Sequence, residues 1–156
     1  MVKIIAPLTQ VDSTTALYNV GSRTMTNDGN EYIYLPGADS VVLRDWVSIQ
    51  TISCLSYGSV TRLTTSGKGL VGIAQGAIIS NTYGWFGTYG VFYGKCGNTV
   101  ASGTALYASG TTAAVDTVVT AGALLEGVIS VTTGTGASTG TVGVFINHPF
   151  VGASGV

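Results

Sequence analysis

Residues Tyr83–Asn98 read YGWFGTYGVFYGKCGN: a Trp, two Phe and three Tyr in sixteen residues, with five glycines set among them. In an extended chain successive side chains point to opposite faces of a sheet. Strict alternation puts Trp85, Gly87, Tyr89, Val91, Tyr93 and Lys95 on one face, and Phe86, Thr88, Gly90, Phe92, Gly94 and Cys96 on the other. Both faces carry aromatics, so both are expected to be at least partly covered. A glycine inside a strand leaves a gap that a neighbouring aromatic can fill, or permits the bend that closes a barrel. The stretch is therefore expected to form two short strands, Tyr83–Tyr89 and Gly90–Cys96, with aromatics shared between a core and a subunit interface. A sugar-stacking platform is the rival; such platforms come with carboxylates or amides for the sugar hydroxyls, and only Asn81 and Asn98 lie near.

The rest of the chain agrees with an all-β fold. Runs free of Gly and of β-branched residues are too short for a three-turn helix, and Val, Ile, Thr and Tyr dominate the apolar positions. The one competing helix, AGALLE at Ala121–Glu126, is boxed in by Gly122 and Gly127. Asn27-Asp28-Gly29-Asn30 between Arg23–Thr26 and the strand Glu31–Leu35 is a hairpin signal. Further strands are predicted at Trp46–Ile52, Ser59–Leu63, Leu70–Ala74, Ala77–Ser80, Ala105–Ala108, Gly127–Thr132 and Thr141–Asn147. Thr132–Thr141, TTGTGASTGT, reads as a hairpin tip. Many short strands with Gly-rich turns predict a small β-barrel or sandwich at residues 21–149. An extended N-terminal arm at 1–20, held out of any central strand by Pro7, and a short C-terminal tail at 150–156 complete the expected organisation.

Composition narrows the function. Only 8% of the 156 residues are charged, against about 25% in ordinary soluble proteins, while Gly numbers 23. A free monomer stays soluble by spreading charge over its outside, so this surface is expected to be covered by copies of itself or by a larger assembly. With a net charge of −1 and six scattered basic residues, no basic face is available for nucleic acid. The first residues, MVKIIAPLTQVDSTT, lack the apolar core of a signal peptide, and no window approaches the ~20 apolar residues of a membrane helix. Synthesis in the cytoplasm and no membrane partner are the expectations.

Nothing in the sequence assembles a catalytic, cofactor or metal site. His148 is the single His, Cys54 and Cys96 have no CxxC partner, and the carboxylates at Asp28, Glu31, Asp39, Asp45, Asp116 and Glu126 are isolated. Ser66-Gly67-Lys68-Gly69 lacks the phosphate-loop spacing and reads as a hairpin turn. In a reducing compartment the two cysteines are expected as buried thiols; whether they pair does not follow from the sequence. The chain is expected not to be an enzyme.

A resemblance adds to this. NDGNEYIYL (Asn27–Leu35), VVLRDWVSI (Val41–Ile49), GLVGIAQGAI (Gly69–Ile78), YGWFGTYG (Tyr83–Gly90), VASGTALYAS (Val100–Ser109) and ALLEGVISVTTGTGASTGTVGVFINHP (Ala123–Pro149) resemble, in that order, the small head decoration, or capsid cement, proteins of tailed bacteriophages. The likeness spans about Gly21 to Pro149, and the order of the pieces carries it. It implies a β-rich structural protein on the outer surface of the virion, an oligomer that binds the major capsid protein and stabilises the shell, with termini that clasp neighbours. On that basis contacts to capsid or to other copies are expected at the arm residues Ile4, Ile5, Pro7 and Leu8 and at Trp85, Phe86 and Tyr89, and a homotrimer is expected. The alternative from another class is a carbohydrate-binding β-module that stacks sugars on Trp85, Tyr89 and Tyr93.

Overall fold

A computed structural model describes residues 8–9, 11, 14–53, 56–109, 111, 113–117, 124–135 and 140–152. Ten strands follow in chain order: β1 Arg23–Met25, β2 Glu31–Pro36, β3 Trp46–Ser53, β4 Ser56–Arg62, β5 Gly69–Ala74, β6 Tyr83–Cys96, β7 Tyr107–Ala108, β8 Val115–Asp116, β9 Leu125–Ser130 and β10 Gly140–Val151. There is no helix among the described residues. The fold is all-β, as expected from composition, and sandwich-like rather than a closed barrel. All strands join one sheet in the order β1-β2-β6-β10-β5-β3-β4, with β9 on β10 and the short β7 and β8 attached to β6. Strand pairing is antiparallel except where β8 meets the end of β6, and one isolated bridge, Gly37 to Val60 of β4, is also parallel.

The local signals act where the sequence places them. The Asn27–Asn30 turn joins β1 to β2, with Met25 opposite Glu31 and Gly29 at φ +84°. Thr26 and Asn30 both bond to the Asp28 carboxylate across that turn. In β2, Tyr32 and Tyr34 face one core cluster while Ile33 and Leu35 face another. A continuous apolar run of this kind belongs to a strand covered on both sides. Trp46, Trp85 and Phe92 lie in the first cluster, and Val47, Ile49 and Phe86 in the second. Each such side chain, once buried, contributes about 1.5–3 kcal/mol.

Four expectations change. The aromatic stretch is one fourteen-residue strand, not two. Gly90 at φ +116° lets it bend without ending. Gly94 leaves the gap that Trp46 fills: a Cβ there would enter the indole ring, whose Nε1 donates to the Lys95 carbonyl at 3.1 Å. The strand also carries a bulge. Tyr32 pairs with Gly87 but Glu31 pairs with Tyr89, so Thr88 is an extra residue, and every side chain beyond it changes face.

The expected tail begins too early at 150, because Phe150 and Val151 pair with Leu70 and Gly69 as the end of β10. Pro149 is tolerated inside that strand because it sits in a register shift, between Ile146 and Phe150, where no ladder donor is required. Ala77–Ser80 forms only a bridge, Ile78 to Val41. In the helix candidate, Leu125 and Glu126 belong to β9, while 121–123 lie outside the described residues. β9 and β10 pair antiparallel with Ser130 opposite Val144, the hairpin expected around TTGTGASTGT, although 136–139 lie outside the described residues. The described part of the arm has no strand, and Leu8, Ala16 and Tyr18 pack on the first cluster.

Candidate functional site

The second half of β6, with β10 and β9 beside it, forms a three-stranded face with opposite characters on its two sides. Inward, Phe92, Val142, Val144 and Ile146 belong to the first core cluster. Outward, Val91 is opposite Phe145, which is opposite Ile129, and the three form a row across the strands. One step along, Tyr93 is opposite Gly143, whose carbonyl accepts a bond from the Val131 N–H at 2.8 Å. Directly opposed side chains lie close enough to make one continuous surface. The outer members are exposed by 56% at Val91, 57% at Tyr93, 46% at Ile129 and 42% at Val131. The Thr88 bulge is what turns Val91 and Tyr93 outward.

The border of this surface is built with few charges. Leu43 and Arg44 line a shallow depression with Val91 and Tyr93. The Arg44 guanidinium lies 5.8 Å over the Tyr93 ring, an arrangement worth about 0.5–1 kcal/mol at an exposed site. Lys95 is turned to Asp45, which also faces Arg62 at 3.8 Å. Asp45 is buried, accepts a bond from the Val42 N–H, and so holds the turn that presents Leu43 and Arg44. The result is a contiguous exposed apolar patch, the kind of surface that marks an interaction site.

Not all of the residues expected to make contacts lie on this face. Ile4, Ile5 and Pro7 lie outside the described residues, and Leu8 is half-buried against the first cluster. Trp85 is 1% exposed and Phe86 0%; within this chain they are core and have no surface left to offer. Tyr18 and Tyr34 pack on the Trp85 ring with centroids at 5.4 and 5.1 Å, so Trp85 cannot stack on a sugar. Tyr89 is half-buried, edge-on to Phe145 and stacked on His148. The surface residues missing from the expected capsid contacts are Val91, Tyr93, Ile129, Val131 and Phe145, Tyr93 having been expected only on the alternative sugar-stacking face. Two were inside the quoted stretch, but alternation grouped them with Trp85; the rest meet them only through register.

Among the described residues no group of three or more His, Cys, Asp or Glu could hold a metal. Cys96 is a buried free thiol, and burial pushes its pKa up; Cys54 lies outside the described residues. Burial likewise raises Tyr32. The Thr26 hydroxyl bond holds the exposed Asp28 carboxyl below the usual aspartate value. No described helix is long and apolar enough to cross a membrane. No family model, curated protein or solved structure matches the chain.

Proposed function

We propose that the chain is a structural virion protein, a capsid decoration or cement protein that docks on the outside of a tailed-phage head and bridges major capsid subunits. The observation that carries it is the Ile129–Phe145–Val91 row with Tyr93 and Val131 beside it, an exposed apolar face on a chain with 8% charged residues. Such a face calls for a protein partner that covers it; nucleic acid would need a basic one.

Magnitude supports an assembly over a single contact. Val91, Tyr93, Ile129 and Val131 each have about half of their surface still to bury, worth about 1 kcal/mol apiece. Together that is about 4 kcal/mol, at the low edge of the 4–15 kcal/mol that association costs in lost freedom. One face alone is weak. A homotrimer on a shell presents several such faces at high effective concentration, and its avidity rises by orders of magnitude without any new contact. In that arrangement a capsid subunit leaves only after its contacts to the clamp are broken too, which is how the protein stabilises the shell.

The deciding experiment is co-sedimentation with expanded, undecorated heads of the encoding virus, titrated to saturation. A fixed ratio to the shell subunit together with a raised shell melting temperature is the expected result. Absence of saturable binding overturns the proposal, and glycan binding by Tyr93, the exposed member of the Trp85, Tyr89 and Tyr93 set, would then be the reading to test.

A further inference from the structure

A different place in the sheet carries chemistry that the docking face does not use. β5 pairs with β6 only at Ile73–Gly87 and Ala74–Phe86. Beyond that point the two strands part and β10 enters the fork, pairing with β6 at Tyr89–Asn147 and with β5 at Leu70–Phe150. The Thr88 bulge of β6 and the register shift that contains His148 and Pro149 meet there, and bulges recur where a sheet re-aims side chains at a site. A cleft of about 260 Å³ opens at the fork, just below the usual range for small-molecule sites. Its floor is apolar: Ile33, Ile49, Leu70 and Val71.

The polar groups around that floor are few and set in place. Arg23 stands on the cleft wall with its Nη2 donating to the Tyr57 hydroxyl at 2.9 Å and its guanidinium 5.9 Å over the Tyr57 ring. Among the described residues no carboxylate is in ion-pair range of it; Glu31 faces His148 instead, at 3.8 Å. Among the described residues one of the five N–H donors of the guanidinium is used, on Tyr57, and the Tyr57 O–H has no acceptor. Thr88 also lines the cleft, 5% exposed, and its Oγ1 has no hydrogen-bond partner among the described residues. A buried hydroxyl without a partner is uncommon in folded chains and asks for one from outside the protein.

We infer that the fork binds a small amphiphilic monocarboxylate, with its apolar body on Ile33, Ile49, Leu70 and Val71 and its carboxylate on the Arg23 guanidinium and the Tyr57 hydroxyl. A planar fork of N–H donors matches a carboxylate, and one cation without an ion-pair partner among the described residues of the cleft matches a single negative charge. The inference does not rest on the docking proposal, since the two surfaces share no residue.

The test is a titration of isotope-labelled protein with octanoate, octanol and acetate, followed by amide chemical shifts. Octanoate is expected to saturate with shifts confined to the neighbourhood of Leu70, Val71, Thr88 and His148. Octanol is expected to bind at least about tenfold more weakly, since a charge-assisted bond is lost, and acetate, with no apolar body, not at all. Arg23→Gln, on an exposed side chain, is expected to weaken octanoate about tenfold or more and leave octanol unchanged; Tyr57→Phe, which keeps the ring under Arg23, weakens octanoate in the same sense. Absence of saturable shifts at millimolar octanoate, shifts that map to Val91, Tyr93 and Ile129, or equal affinity in Arg23→Gln each overturns the site.

Discussion

Replacing Val91 by Asp puts a charge at the centre of the proposed docking face and separates docking from folding. Val91 is 56% exposed and its side chain meets Phe145 across the strand pair. Its N–H is held by the Asn30 side chain at 2.9 Å, a bond the substitution leaves in place. The cost to folding is therefore that of an exposed strand position, below about 1 kcal/mol, or a melting shift within about 2–4 °C for a chain of this size. The cost to docking has two parts. About 1 kcal/mol of apolar burial is lost, and a carboxylate, even one that draws on Arg44 in the same depression, must be desolvated against an apolar partner, which costs several kcal/mol. Together these exceed about 3 kcal/mol, more than a hundredfold in Kd, and the loss recurs in every copy of an oligomer. Val91→Lys is expected to do the same, because desolvation penalises either sign. The assay is co-sedimentation with undecorated heads beside a thermal melt of the free protein. If Val91→Asp saturates the heads as the parent chain does, with its melting temperature intact, the assignment of the docking face is wrong.

Three further outcomes test other parts of the structure. Gly94→Ala drives a methyl group into the buried Trp46 indole and is expected to destabilise the chain by about 1–3 kcal/mol; an unchanged urea midpoint would remove the close packing from the account. Trp85→Ala, at 1% exposure, is expected to cost about 3–5 kcal/mol, whereas Tyr93→Ala, at 57%, is expected to cost no more than about 1 kcal/mol, a contrast that denaturant unfolding of both variants measures. Because the Thr26 hydroxyl bond lowers the folded pKa of Asp28, the carboxylate supports the β1–β2 turn fully above the unfolded aspartate value near 3.9. That support is lost as pH falls through the lower folded value; protection factors at Gly29 and Asn30, corrected for the intrinsic pH dependence of exchange, that drop only over that acid range are the expected result, and absence of protection at neutral pH counts against it.

Much of the fold was legible because its signals are local. The Asn27–Asn30 turn needs only Asp-Gly between two β-prone runs, and it closes the β1–β2 hairpin. The strand Glu31–Leu35 was expected from its β-prone run after that turn, and the two core clusters divide Tyr32 to Leu35 in alternation. The glycines of Tyr83–Asn98 signalled a gap or a bend, and Gly94 under Trp46 and Gly90 at positive φ supply one of each. By contrast, the tail expected from residue 150 is the end of β10, which carries Pro149 in a register shift that only its long-range partners create.

The amino-acid sequence by itself determined an all-β chain, poor in charge, with its hairpin turns and an aromatic run rich enough to be core. Which aromatics are core and which are surface was decided only by the tertiary structure. Alternation joins Trp85 to Tyr93, yet the folded chain puts Trp85 with Phe92 and leaves Tyr93 in the open. The cause is one extra residue, Thr88, at the point where β6 keeps β2 on one side while its other neighbour changes from β5 to β10. A bulge of that kind answers to strands distant in sequence, and a single residue of slip reverses every face beyond it.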